Sequence, residues 1–270
     1  SAVIYLLDMI RISEALEDEE ELGKGYINLG ISYYETYDLK NAKIFLEKSI
    51  PINEKLGKSR FLCIAYNNLG NLLYDNGDLD EAYRMYEEAL ELSEITGDLI
   101  GKGNVLVSLG NIHEEKQNRR EAYSYYQKAK DIKEEIGDWH GFMLAYKNMA
   151  LIHERWGDYK KALDIYDSCL AISEKIQNIY TTRELYYNIF KTYEIMGDYR
   201  KAYEYQSLHD VVKDSIYNIR KAEAIADYSL KYEKEKDQAQ ILALKNEALE
   251  RDLMLNKKTL QSNIYLFTGL

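Results

Sequence analysis

The feature that most constrains this chain is a period of 40 residues. Gly30, Gly70 and Gly110 stand 40 apart, and Ala150 and Phe190 continue the column. Leu29, Leu69, Leu109, Met149 and Ile189 sit just before them. Ala42, Ala82, Ala122, Ala162 and Ala202 keep the same register, and so do Leu46, Tyr86, Tyr126, Tyr166 and Gln206. A turn column runs through Asp38, Asp78, Asn118, Asp158 and Asp198. A fixed period in this range marks a stacked array of units, none of which can bury its apolar face alone.

Each period reads as two helices. In the first unit Tyr26, Leu29 and Tyr33 recur at helical spacing, which predicts a helix from about Lys24 to Tyr34. A break such as Asn76-Gly77-Asp78 supplies a residue suited to φ > 0 and then an N-cap. The second helix starts near Leu79, carries Ala82, Tyr86 and Ala89 on one face and ends near Gly97; Gly57, Gly137 and Gln177 mark the equivalent stops. A Gly inside a helix costs about 1 kcal/mol relative to Ala, so its recurrence needs a compensating gain. Gly70 and Ala82 are expected where the two helices cross, with Tyr74 and Tyr86 filling the flanks. The fold class is all-α, a solenoid of antiparallel helix pairs. Two local departures stand out. Pro51 falls inside a second helix, where it predicts a kink or interruption. Phe190 in a small-residue column predicts different packing in the fifth unit.

This pattern resembles the tetratricopeptide repeat (TPR), on the small residue at Gly70, the aromatic at Tyr66, Ala82, Tyr86 and Ala89, over residues 22–217 as five units. The usual unit is nearer 34 residues. A 40-residue unit implies longer helices, as in kinesin light chains, the adaptor Pins and Rap-type peptide receptors. The Pro that often closes a TPR unit is absent. The resemblance implies a right-handed superhelix whose concave face binds a peptide or protein. Ala2 and Leu6 lie 40 before Ala42 and Leu46, so residues 1–21 read as the second helix of a truncated upstream repeat.

The family's groove position lies one residue before the Leu column: Asn28, Asn68, Ser108, Asn148 and Asn188. An amide donates and accepts at once, which suits a peptide backbone. Asn67, Asn71, Asn104 and Asn111 enrich the same face, Lys147, Arg155 and Lys191 add positive charge toward one end, and Tyr187 could stack. The expected ligand is an extended peptide with an acidic group. The bland alternative is that these Asn side chains bond to neighbouring repeats and stiffen the stack.

Little else points to chemistry. A phosphate loop, a GxSxG elbow and a HExxH zinc motif are all missing from the sequence, and no cofactor is implied. His113 and His153 lie one period apart, but no third ligand recurs beside them, so they read as packing groups in the column of Tyr33 and Tyr193. His140 and His209 are isolated. The carboxylates are spread along helix faces, so the chain reads as non-catalytic. A net charge of -11 argues against a direct nucleic-acid partner, because phosphate contacts need clustered Lys and Arg. Tyr outnumbers Phe by 26 to 5, so Tyr must do much of the packing. Cys63 and Cys169 lie more than two units apart, too far for a disulfide, and read as buried packing residues.

Residues 218–263 lack Gly and Pro and read as one long charged helix. Ile225, Tyr228, Tyr232, Ala239, Leu242, Leu249, Leu253, Leu260 and Phe267 follow steps of three and four or their sum of seven, with Glu235, Asn246 and Asn256 interrupting. That seam predicts a homodimeric coiled coil through Leu242, Leu249, Leu253 and Leu260, with a cap folded back on the solenoid as the alternative. Residues 264–270 are apolar and read as the start of a truncated transmembrane helix, giving membrane attachment beyond Leu270. With KDSIYN at 213–218 and KYEKEKDQAQILALKNEALE at 231–250, the whole looks like the sensor portion of membrane-bound TPR regulators of Bacteroidetes, which carry a histidine kinase or helix-turn-helix domain inside the cell. That likeness implies a signal-transduction sensor on the extracytoplasmic side; a cytoplasmic adaptor or Rap-like receptor is the alternative.

Overall fold

A computed structural model describes the backbone of residues 2–268 and the side chains of residues 2–258. Eleven helices and no strand are present among the described residues. They are α1 (Ala2–Ala15), α2 (Glu19–Glu35), α3 (Leu39–Lys55), α4 (Ser59–Asp75), α5 (Leu79–Thr96), α6 (Leu99–Glu115), α7 (Arg119–Glu135), α8 (Trp139–Arg155), α9 (Tyr159–Lys175), α10 (Ile179–Met196) and α11 (Tyr199–Thr268).

The turns explain the period. Positive φ recurs at Glu17, Tyr37, Gly57, Gly77, Gly97, Gln117, Gly137, Gly157, Gln177 and Gly197, a spacing of 20. At each, the following N–H reaches back to a carbonyl in the last helical turn, as in Asp38 N to Tyr33 O at 2.9 Å and Asp78 N to Leu73 O at 2.9 Å. That is the Schellman closure, which satisfies carbonyls the helix end leaves unpaired. The same residue then starts the next helix: Asp18, Asp38, Asp98, Asp138, Asp158 and Asn178 each accept from the N–H three residues on. One three-residue motif thus ends one helix and begins the next. It comes around every half period, so the repeat is built from two helices of nearly equal length.

Packing follows the columns read from the sequence. Ala42, Ala82, Ala122 and Ala162 are fully buried, as are Leu29, Leu109 and Ile189. Tyr86, Tyr126 and Tyr166 are among the largest fully buried side chains, which accounts for the abundance of Tyr. Gly70 lies at the α4–α5 crossing, where a Cβ would stand 2.6 Å from the Tyr86 ring; at Gly110 it would stand 2.5 Å from Tyr126. The helix penalty of each Gly is therefore offset by close backbone approach. In the fourth unit Ala150 takes the place of the Gly and is fully buried.

Three expectations are corrected. Pro51 lies inside α3 without interrupting it: the residue is exposed, while Leu46, Ser49 and Asn53 on either side are buried and hold the helix in register. The first helices begin earlier than the apolar spacing suggested, at Glu19 rather than near Lys24, because the Asp18 cap sets the start. The long C-terminal helix does not begin at 218 but is continuous from Tyr199, so the second helix of the last unit and the charged helix are one element. Phe190 is only half-buried, edge-on to Tyr187 with centroids 5.1 Å apart, where the Gly and Ala of its column are buried.

The chain forms two compact units, residues 1–207 and 208–270. In the second, every side chain from Tyr217 to Lys258 is exposed, including Leu242, Leu249 and Leu253. The side chain of Leu260, the fourth seam position, lies outside the described residues, as do the side chains of 264–270. No described helix is long and apolar enough to cross a membrane.

Candidate binding groove

The first helix of each unit contacts its counterpart in the next: α2 meets α4, α4 meets α6 and α6 meets α8. The second helices do not approach one another to this extent, so the array curves with its first helices inside. Rungs cross between neighbouring first helices near their C-terminal ends. Tyr34 donates its hydroxyl to Asp75 at 2.5 Å, Tyr74 donates to Glu115 at 3.3 Å, and Arg155 pairs with Glu114. This row of Tyr and carboxylate, absent from the sequence reading, makes one edge of the inner face acidic.

The amide column is present on these helices, but its members differ. Asn28 is exposed. Asn68 is half-buried and spends its amino group on the carbonyl of Ile64 at 2.8 Å. Ser108 donates to the carbonyl of Asn104 at 3.4 Å. Asn148 reaches across units to Asn111 Oδ1 at 3.4 Å. Asn188 is half-buried, and its carbonyl accepts from Thr192 at 2.8 Å. Asn71 Oδ1 accepts from the buried Tyr86 hydroxyl at 2.8 Å, and Asn111 Oδ1 from that of Tyr126 at 2.7 Å. Asn67 keeps its Oδ1 buried without a partner. Tyr187 is exposed.

The cations are placed differently from the expectation of open positive charge. Lys147 is held by Glu184 at 2.7 Å, Lys191 by Glu194 at 2.8 Å and Arg155 by Glu114. An acidic ligand group would have to displace an internal carboxylate at each of them. Lys147 and Glu184 bridge a cleft of about 360 Å³ between α8 and α10, floored by Met143, Leu144 and Tyr180.

One determinant escaped the sequence reading. Lys133 is almost fully buried on α7, donating to Asn104 Oδ1 at 2.6 Å and Asp138 Oδ2 at 2.7 Å. Burial works against the Asp138 carboxylate, but the Lys133 ammonium and the Gly141 N–H outweigh it and hold its pKa below the ordinary value. Gly103 and Gly141 make room: a Cβ on either would meet the Lys133 stem below 3 Å. The signal was available in the period, since Ser13, Asn53, Ser93, Lys133 and Ser173 form a buried polar column.

In unit four, Leu151 stands where Asn71 and Asn111 stand, and the Tyr166 hydroxyl lies beside Glu154 instead. Burial raises the Glu154 pKa against the Thr192 hydroxyl, which donates to its carboxylate. His113 stacks on Tyr125 and meets Tyr83 edge-on; His153 meets Tyr123 and Trp156. No group of three or more His, Cys, Asp and Glu able to hold a metal occurs among the described residues. Cys63 and Cys169 are free and buried, and burial pushes their thiols up to about 11 and about 12.

Comparison with known proteins agrees with this geometry. A tetratricopeptide-repeat family profile matches residues 61–135 and 103–175. No curated protein sequence matches significantly. Among solved structures, BtubC (BKLC) from P. vanneervenii superposes with a TM-score of 0.70 at 18% identity, over 80% of this chain and 91% of that one. The signal transduction ATPase with numerous domains (STAND) from Pyrococcus horikoshii, which has a TPR sensor, gives 0.67 at 21% identity, over 77% of this chain and 32% of that one. Aspartyl phosphate phosphatase F from Bacillus subtilis gives 0.59 at 15% identity, over 78% and 68%. At such identities the likeness shows the fold alone. The family match covers residues 61–175, where the chain carries tetratricopeptide repeats, and similar helix pairs continue to either side, on a fold whose general role is protein interaction.

Proposed function

We propose that the inner face of the array binds an extended peptide or a segment of a partner protein, and that the chain serves as the sensor part of a signalling protein. The observation that carries this reading is the set of amides on the inner first helices, several of which keep a donor or acceptor unused among the described residues. A concave solenoid face with repeated polar positions is where such folds recognise other chains. Binding is relayed through α11, because its first turns pack Tyr205 against Tyr186 and Tyr193 while the same helix continues to Thr268. A ligand can shift that packing only by its difference in affinity for the two arrangements.

The test uses peptides selected on the full chain from a random phage-displayed library. Asn68→Ala with Asn148→Ala should weaken the selected peptides tenfold or more while thermal unfolding stays nearly unchanged. Unchanged binding with lowered stability would make these amides structural instead. The exposed seam Leu242, Leu249 and Leu253 supports a homodimer, which light scattering on the full chain reads directly. A monomer unaffected by Leu242→Glu and Leu249→Glu would favour the second reading, an adaptor or peptide receptor in which α11 relays nothing.

A further inference from the structure

We propose that Tyr86, Tyr126 and Lys133 act from behind the groove as positioning residues, fixing which end of each amide faces the ligand. The groove then reads an extended polypeptide backbone in one direction only. This rests on the groove reading above. All three side chains are almost fully buried on second helices and cannot touch a ligand themselves.

The polarity follows from donor and acceptor chemistry. An ammonium only donates, so Lys133, 2.6 Å from Asn104, holds the Oδ1 of that amide and turns its amino group away. A backbone carbonyl only accepts, so Ile64 O holds the Asn68 amino group and leaves its Oδ1 outward. The Tyr126 hydroxyl lies 2.7 Å from Asn111 and 3.4 Å from the Glu114 carboxylate, which can only accept. Its single proton goes to the nearer Asn111 Oδ1, which turns that amide's amino group away from the hydroxyl. Asn148 donates to that same oxygen, leaving its own Oδ1 unused. One period earlier the Tyr86 hydroxyl donates to Asn71 Oδ1 at 2.8 Å.

The result is a fixed pattern on the first helices of three successive units, α4, α6 and α8. Asn71, Asn104 and Asn111 keep an amino group that no hydrogen bond within the described residues uses, and Asn68 and Asn148 keep a carbonyl. Reversing an extended chain exchanges the order of its C=O and N–H groups, so a fixed pattern favours one direction. Lys133 is the most telling member. Burying an ammonium is costly unless it is fully paired. Its column elsewhere uses Ser or Asn, and Asp138 alone would not require contact with Asn104.

The experiment uses the full chain with isotope-labelled asparagine and reads side-chain amide signals by NMR. In the unaltered protein Asn104 and Asn111 should give dispersed signals with slow exchange against water. Tyr126→Phe keeps the ring over Gly110 and should move the Asn111 signals to those of an unstructured asparagine, with backbone signals elsewhere unchanged. Lys133→Met should do the same for Asn104, and serves if the first variant folds poorly. A library-selected peptide should outbind its reversed sequence, and Tyr126→Phe should reduce that preference about tenfold. Unmoved Asn111 and Asn104 signals, or equal binding of a peptide and its reverse, would overturn the proposal. If no peptide is captured at all, the groove reading fails, and the amide signals alone decide whether the lock exists.

Discussion

Gly70→Ala sets local propensity against tertiary packing. In a solvated helix the change is stabilising by about 1 kcal/mol. Here the new Cβ would stand 2.6 Å from Tyr86 Cε1 and 2.7 Å from Cδ1. Carbon atoms in contact prefer about 3.5–4.0 Å, so the ring must withdraw by about 1 Å. It has little room, being 2% exposed, and its hydroxyl is held by Asn71 at 2.8 Å. Overpacking of this kind costs about 1–3 kcal/mol. The net expectation is a loss of about 1 kcal/mol, or a fall in Tm of about 2–4 °C for a chain of this size. Unit four is the internal control, because Ala150 stands in this column and is fully buried there. Ala150→Gly should therefore lose about 1 kcal/mol, the helix-propensity difference. Urea unfolding of both variants decides the matter. A Gly70→Ala protein more stable by the full propensity difference would refute the reasoning.

Other perturbations test the turns and the buried ionisable groups. Tyr37 and Gln117 adopt φ of 60° without being Gly, so Tyr37→Gly and Gln117→Gly should each raise stability by up to about 1 kcal/mol in thermal denaturation. Burial raises the Glu154 pKa above its ordinary 4.5, so its contribution to stability is present below that pH and lost as pH rises. Glu154→Gln should thus be more stable than the parent at neutral pH, and the gain should vanish in unfolding curves taken below 4.5. Burial depresses the His113 pKa below its ordinary 6.5, so its contribution is present above that pH and lost on acidification. His113→Leu, which copies Leu73 one period earlier, should flatten the fall of Tm with acid below pH 6.5.

The inner face carries a lesson about charge. Lys147 and Arg155 looked like open cations because a sequence shows which residues share a face but not which carboxylate stands opposite, whereas the Lys191 partner Glu194 lies three residues on in the same helix. Glu184 and Glu114 lie on neighbouring helices, 37 and 41 residues from their partners, so neither pairing shows in the spacing along one helix. The pair His113 and His153 had the converse outcome. Their shared column placed them in aromatic packing, and each meets two rings there.

What the sequence determined by itself was the period, and with it the fold. Columns of Gly, Ala and Leu at 40-residue spacing specify a helix pair, because each column needs the same neighbour in every unit. The turn column Asp38, Asp78, Asn118, Asp158 and Asp198 sets where helices stop and start through local backbone bonds alone. Tertiary structure decided the rest. Pro51 stays helical because buried neighbours on both sides outweigh one lost backbone bond. The last repeat helix runs on into the charged helix although Tyr217 and Asn218 stand in the register of the turn pair Tyr37 and Asp38, so local sequence alone does not stop it. The orientation of the groove amides depends on Tyr86, Tyr126 and Lys133, which lie 15 and 29 residues away on other helices. Periodicity reports which face a residue occupies; which atom of an amide faces outward depends on the donor behind it, and only the packed helices bring that donor into place.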